Sequence, residues 1–256
     1  MSNTQLAEIH NRIEELLQTK ADALPSDLNK TRFLQNAMTV LSTSKGIENC
    51  KPTNVARVVL QGALLGLDFF NKECYAIIYG GVAQFQTDYK GEIKLAKKYA
   101  TNKIKDIYSK LVREGDEFIE EIVAGKQSIH FKPLPFNNKE IVGAFAVVLY
   151  EDGSMMYDTM SSEEIENTRE HYSKQPDGKA WKKSKGEMYK KTPLRRLLKY
   201  IDLHFETTEQ KSAFDDASDM DFTQETKPQQ QSPLNANKTI IDAEYTVVEE
   251  SLNETE

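Results

Sequence analysis

The chain has 256 residues, 39% of them apolar, with 33 Lys/Arg against 40 Asp/Glu and a formal net charge of −7. No apolar run approaches the ~18 residues that cross a bilayer, and MSNTQLAEIHNRIEELLQ lacks the basic start and apolar core of a signal peptide, so a cytoplasmic protein without membrane contact is expected. Cys50 and Cys74 lie too far apart for a C-x-x-C site and are too few for a disulfide framework, so both read as buried thiols.

In chain order, amphipathic helices are expected near Leu6–Lys20 and Leu28–Ser42, and CKPTNVARVVLQGALLGLD reads as a third, with Thr53 as N-cap and Gly66 as its stop. ECYAIIYGGVAQFQTDY holds two β-rich runs around Gly80-Gly81, a strong hairpin signal. Of its aromatic residues, Tyr75, Tyr79, Phe85 and Tyr89, most are expected in the core. DYKGEIKLAKKYA is a helix, followed by strand-like runs at Ile107–Arg113, Glu117–Val123, Ser128–Lys132 and Val142–Tyr150, and a turn at Glu151-Asp152-Gly153 into SMMYDTM. SSEEIENTREHY opens with a capping-box pattern, Ser161 with Glu164, and a loop with Pro176 and Gly178 leads to the basic stretch EMYKKTPLRRLLKY. Helices, then a sheet, then helices imply an α+β fold.

Net charge averages two unlike regions. Glu206–Glu256 has 13 acids and 3 bases, which leaves 27 acids and 30 bases in residues 1–205, a body of net +3. The expected organisation is an N-terminal helical segment, 1–27, a core, 28–206, and an acidic, disordered tail, 207–256. Within the tail, IIDAEYTVVEE reads as spacer, as docking segment, or as part of an acidic chain that competes with a polyanion.

Two segments carry a sharper signal. With Tyr89 at zero on a helical wheel, Ile93, Ala96 and Ala100 fall within roughly 40°, Lys90, Lys94, Lys97 and Lys98 lie at roughly 80–180°, and Asp88 and Glu92 at roughly 260–300°. A solvated helix more often mixes signs through i,i+4 pairs, so a one-sided lysine face suggests an anionic partner. From Pro193 onward, Leu194, Leu197, Leu198 and Ile201 form a packing face beside Arg195, Arg196 and Lys199. Run backwards through Pro193, that phase puts Lys190 on the leucine face, so a helix break at Thr192-Pro193 is expected. Thr192 would then be N-cap and Pro193 the first helical residue, with an anion pocket beside Lys190 and Lys191. Lys182 and Lys183 extend the basic surface, and Trp181 among them is either a loop anchor, the favoured reading, or a base-stacking platform like Tyr89. A solvated cationic helix remains the alternative for the whole stretch.

NVARVVLQGALLGLD, QFQTDYKGEIKLAKKYA, VGAFAVVLYEDGSMMYDTMSSEEIE and AWKKSKGEMYKKTPLRRLLKY, in that order, resemble the RecT family of phage and prophage single-strand annealing recombinases over roughly residues 30–205. The resemblance implies an α+β core, homo-oligomeric rings or helical filaments on DNA, and ATP-independent pairing of single-stranded DNA into duplex. It also implies a phage exonuclease and the host single-strand binding protein as partners. Pro193 departs from the family's K-T-x-[LI]-R-R pattern, which makes the pocket a feature of this sequence.

Chemistry read from the residues agrees through absences. Gly125-Lys126 and Gly178-Lys179 lack the glycine five residues earlier that a phosphate-binding G-x-x-x-x-G-K-[ST] loop needs. His10, His130, His171 and His204 form no metal-ligand spacing, and no compact carboxylate set sits at strand ends. No catalytic residue, metal or required cofactor is therefore expected, while Mg2+ dependence is left open. Sequence-independent RNA binding is the second reading, a metal-dependent nuclease the third. The DNA-binding candidates are Lys90, Lys94, Lys97, Lys98, Lys182, Lys183, Lys190, Lys191, Thr192, Arg195, Arg196 and Lys199, with Trp181 and Tyr89 for stacking.

Overall fold

The computed structural model describes residues 3–173 and 176–217. All belong to a compact unit, 1–226, distinct from 227–256. The order is α1 (Asn3–Thr19), α2 (Lys30–Thr43), α3 (Pro52–Leu65), β1 (Cys74–Tyr79), β2 (Val82–Thr87), α4 (Tyr89–Tyr99), β3 (Ile104–Arg113), β4 (Glu117–Val123), β5 (Lys126–Lys132), β6 (Ile141–Tyr150), β7 (Met155–Ser161), α5 (Ser162–Tyr172), α6 (Lys179–Lys183), α7 (Lys185–Leu198) and α8 (Thr208–Asp215). The expected α+β class, with N-terminal helices and antiparallel sheets, is what the chain adopts.

α1 and α2 each bury one stripe, Ile9, Ile13 and Leu17 on one and Phe33, Ala37 and Leu41 on the other, in the core they share with α3. α3 is apolar almost all round, because it lies between those helices, the β1–β2 hairpin and α8. Each fully buried Ile or Leu there contributes ~1.5–3 kcal/mol. Residues 1–27 are thus no separate segment, since Ile9 and Ile13 sit at the centre of the same core as Val55 and Val59. α3 starts two residues earlier than expected: Pro52 occupies the first turn, where its missing N–H costs nothing, and Lys51, not Thr53, is the N-cap. Gly66 ends the helix at φ 65°, left-handed as a C-terminal glycine should be.

Gly80 and Gly81, at φ 57° and 81°, turn β1 into β2, so that Tyr75 faces Gln86 and Tyr79 faces Val82. Strand alternation then buries Cys74 with Ala83 and Phe85, and leaves Tyr75, Ile77 and Tyr79 half exposed on the other face. Both cysteines are free and buried. β3, β6 and β7 form an antiparallel sheet with β6 in the middle. One face packs on α7 through Ile107, Ala146 and Val148; the other carries the β4–β5 hairpin through Phe118, Ile129 and Phe131 against Phe145. Ser161 caps α5 in the expected capping box with Glu164.

Two further expectations fail. Residues 207–217 are not a disordered tail: α8 is capped by Thr207, buries Gln210 and Ala213, and ends where the Ala217 carbonyl accepts the Thr87 N–H at 3.2 Å. Polar, short-range composition hid a helix held by tertiary contacts, such as Gln210 Nε2 donating to the Ala23 carbonyl. Residues 218–256, with Ile240–Glu250 among them, lie outside the described residues.

The second failure is the break at Thr192-Pro193. α7 runs unbroken through Pro193. A proline there removes the bond to the Tyr189 carbonyl and crowds it, at a cost of ~3 kcal/mol. Part of this is offset from outside the helix. The proline ring is buried, and the Ser109 hydroxyl, on β3, lies 2.7 Å from the Phe145 carbonyl and 2.8 Å from that of Lys190, so that its one proton is shared between sheet and helix.

Candidate nucleic-acid interface

α4 and α7 are joined by ion pairs that the sequence distributed over a hundred residues. The Arg195 guanidinium, 7% exposed, grips Glu92 at 2.9 and 3.2 Å and donates to the Thr87 carbonyl at 2.9 Å. Thr87 Oγ1 donates to the same carboxylate at 2.9 Å. Arg195 is therefore a buried clamp between α7, α4 and the end of β2, and not an open phosphate ligand. Arg196 makes a two-pronged pair with Asp158 on β7, at 2.5 and 2.6 Å, and donates to the Thr159 carbonyl. That pairing raises the guanidinium pKa further, against the opposing effect of partial burial, and holds the charge on the sheet.

The one-sided lysine face of α4 is also partly answered from elsewhere. Lys94 reaches Glu73 at 2.7 Å and the Gly66 carbonyl, Lys97 reaches Asp106 at 3.4 Å, and Lys98 reaches Asp27 at 2.7 Å. The Lys97 and Lys98 pairs are open to solvent, worth ~0–1 kcal/mol each, so a phosphate can compete for these lysines at little cost, whereas Glu73 is mostly buried and holds Lys94 more firmly. Lys90 alone of the four has no ion pair among the described residues. Lys190 pairs with Glu187 at 2.7 Å one turn back.

Thr192 and Trp181 leave the surface altogether. Thr192 is 0% exposed and its hydroxyl donates to the Met188 carbonyl, so it is not an N-cap, and the anion pocket expected beside it does not form. Trp181 is buried with Ala144, Met160 and Tyr189, its indole N–H 3.4 Å from Ser173 Oγ, so the anchor reading holds and the stacking one does not. Lys182 and Lys183 follow it, exposed, at the end of α6, and the whole of α7, about 20 Å of helix, separates them from Lys199 at its far end. The basic stretch is thus split along α7 and does not form one patch.

What converges is a smaller set at the N-terminus of α4. Asp88 caps α4 by accepting the Lys90 N–H and pairs with Lys191 at 3.4 Å, and the same ammonium stands 4.8 Å above the Tyr89 ring. The half-exposed face of the β1–β2 hairpin adjoins this point: burial and the nearby Asp88 and Tyr89 raise the Tyr75 pKa, and Gln86 donates to the Tyr79 hydroxyl at 3.3 Å. Tyr75, Tyr89, Lys90 and Lys191 are gathered around Asp88, and exposed Gln84 and half-exposed Tyr79 continue the same face of the hairpin toward its turn. Only Phe85 of the hairpin aromatics is fully in the core, against the expectation that most would be. The alternation of CYAIIY and VAQFQT separates the two faces, but only packing on α3 decides which of them is buried.

Gly91 makes this corner possible. A Cβ there would lie 2.2 Å from the Glu73 carbonyl oxygen, which already accepts the Asp88 N–H at 2.9 Å. Among the described residues, no group of three or more His, Cys, Asp or Glu comes together as a metal site, and no helix is long and apolar enough to cross a membrane.

The RecT family profile matches residues 31–230, from the second residue of α2 through α8. The chain belongs to the RecT family. It is 27% identical over 241 residues to Protein RecT of Escherichia coli (strain K12), covering 90% of this chain and 84% of that protein. Membership supports DNA binding, single-strand annealing and DNA recombination as its field of activity. The match extends beyond residue 206 through α8, in accord with the packing of that helix on α3.

Proposed function

We propose that this protein binds single-stranded DNA along the α4–α7 junction and pairs complementary strands without nucleotide hydrolysis. The observation that carries the reading is the gathering of Lys90, Lys191, Tyr75 and Tyr89 around Asp88. Cations follow a phosphate backbone without reading sequence, and tyrosine rings stack on bases of any identity at ~1–3 kcal/mol per base. Pairing is downhill by roughly 1.4 kcal/mol per base-pair step, so the protein need only hold strands extended and screen their repulsion. Neither task requires a bound nucleotide or metal. Exposed Lys94, Lys97, Lys98, Lys182, Lys183 and Lys199 add to the field around the site.

The test is annealing of complementary oligonucleotides without ATP, together with the salt dependence of single-strand binding. A Lys90→Ala, Lys191→Ala double variant is expected to flatten the slope of log K against log salt by about 1.4, twice the ~0.7 of a single phosphate contact, equally for every DNA sequence. Wild-type annealing and an unchanged slope in that variant would refute the assignment. A parallel RNA titration tests whether the surface discriminates against a 2′-hydroxyl.

A further inference from the structure

Asp88 and Glu92 lie one turn apart at the start of α4, and Lys191 and Arg195 one turn apart on α7, so the two helices meet in a ladder of two rungs. The rungs differ in strength. Arg195 holds Glu92 by two bonds, at 2.9 and 3.2 Å, and its side chain is 8% exposed. Lys191 meets Asp88 by a single contact at 3.4 Å, longer than the ~2.7–2.9 Å of a strong charged bond, and its side chain is 28% exposed. Breaking the inner rung strands a desolvated charge, whereas the ammonium of the outer one can turn into water. Neighbouring acids are engaged elsewhere: Glu187, one turn back on α7, pairs with Lys190, and Glu73 pairs with Lys94.

The outer rung covers a ring that could stack on a base. Tyr89 packs against the core that includes Leu194 and Leu197, and the Lys191 ammonium stands over the ring, 4.8 Å from its centre. Stacked aromatic rings place their centres ~4.5–7 Å apart, so this ammonium and a nucleobase on the same face would occupy the same space.

Opening this rung leaves the helix end intact. Asp88 Oδ1 accepts the Lys90 N–H, while Oδ2 faces Lys191, so the N-cap survives when the lysine swings away on its flexible four-carbon stem.

We infer that Lys191 and Asp88 form a latch over Tyr89: in the free protein Asp88 neutralises the ammonium and holds it on the ring, and a single strand opens the pair by bringing a phosphate to Lys191 and a base to Tyr89 together. The latch rests on the α4–α7 junction being the DNA surface, and it couples the two kinds of contact made there through one side chain. Bases already stacked in a duplex cannot enter, so the latch favours single strands. Asp88 is a positioning residue, acting through Lys191.

The experiment is a mutant cycle of Asp88→Asn and Tyr89→Leu in the full-length protein, read by fluorescence titration of a short labelled oligonucleotide, with thermal melts to verify folding. Asparagine caps a helix as well as aspartate, so Asp88→Asn removes the charge and keeps the cap. It is expected to bind single strands roughly 2–5-fold more tightly, since no ion pair has to be given up. Tyr89→Leu is expected to weaken binding by about twofold more in the Asp88→Asn background than in the wild type, where the lost stack is partly offset by an easier release of Lys191. Simple removal of a negative charge predicts additive effects instead. Additivity therefore overturns the latch, as does wild-type or weaker binding by Asp88→Asn. The closed state is read without DNA by photo-CIDNP, an NMR measure of dye access to tyrosine rings. The Tyr89 signal is expected to rise in Asp88→Asn and in Lys191→Ala, and unchanged access in both overturns the closure. If Lys90→Ala with Lys191→Ala leaves binding unaltered, the DNA surface is wrong and the latch falls with it. A loss of binding in that variant, together with additive effects at Asp88 and Tyr89, removes the latch alone.

Discussion

Arg195→Ala separates a clamp from a phosphate contact. Truncation leaves Glu92, itself largely buried, with only the Thr87 hydroxyl, and removes the donor to the Thr87 carbonyl. Breaking one side of a buried pair costs ~3–5 kcal/mol, because the remaining charge stays desolvated. At ~2–4 °C per kcal/mol for a domain of this size, the melting temperature should fall by roughly 6–20 °C. Urea unfolding followed by circular dichroism should show the midpoint falling at constant m. Replacing both partners, as in Arg195→Met with Glu92→Leu, should recover most of the loss, since an apolar pair of similar volume is often neutral or better. Oligonucleotide binding, measured where Arg195→Ala is still folded, should keep the wild-type salt slope. A variant with wild-type stability and a slope flattened by about 0.7 would refute the clamp and restore Arg195 as a phosphate ligand.

Pro193→Ala should stabilise the protein. An interior proline costs ~3 kcal/mol relative to alanine, and loss of two buried ring methylenes returns ~1.6, leaving a gain of ~1–2 kcal/mol in urea unfolding. Gly91→Ala should instead destabilise by ~1–3 kcal/mol despite alanine's better helix propensity, because its methyl meets a backbone carbonyl that cannot move without uncapping α4; a more stable variant in the same assay would contradict that packing. The hydrogen bond from Lys98 holds the Asp27 carboxyl below the usual range. Its folded pKa lies below the unfolded one, so the link stabilises above the ordinary carboxylate range and is lost as pH falls through the folded value. Carboxyl NMR titration should show Asp27 returning to an ordinary pKa in Lys98→Met.

Much of the fold was legible because its signals are local. Gly80-Gly81 demands left-handed backbone and makes the hairpin; Ser161 with Glu164 closes a capping box; Ile9, Ile13 and Leu17 recur at helical spacing. The order of four sequence landmarks also pointed to the family. α8 was not legible, because its stability comes from Ala213 and Ala217 packing in the N-terminal core rather than from its own polar sequence. The continuity of α7 was hidden for a related reason: Ser109, from a strand 81 residues upstream, shares its hydroxyl proton with a carbonyl near the proline.

For the interface, sequence determined which residues carry charge and which helix faces they share, since both follow from residue type and a 3.6-residue period. Whether a charge is available is a different quantity. It depends on acids that arrive from other elements, as Glu92 meets Arg195, Asp158 meets Arg196 and Asp27 meets Lys98. Only the tertiary structure brings those groups within hydrogen-bonding distance, and only the packing of the hairpin on α3 turns Tyr75 and Tyr79 outward, with Tyr75 beside Asp88 and Tyr89. Burial and pairing fall off over a few ångströms in space, and distance along the chain says little about either.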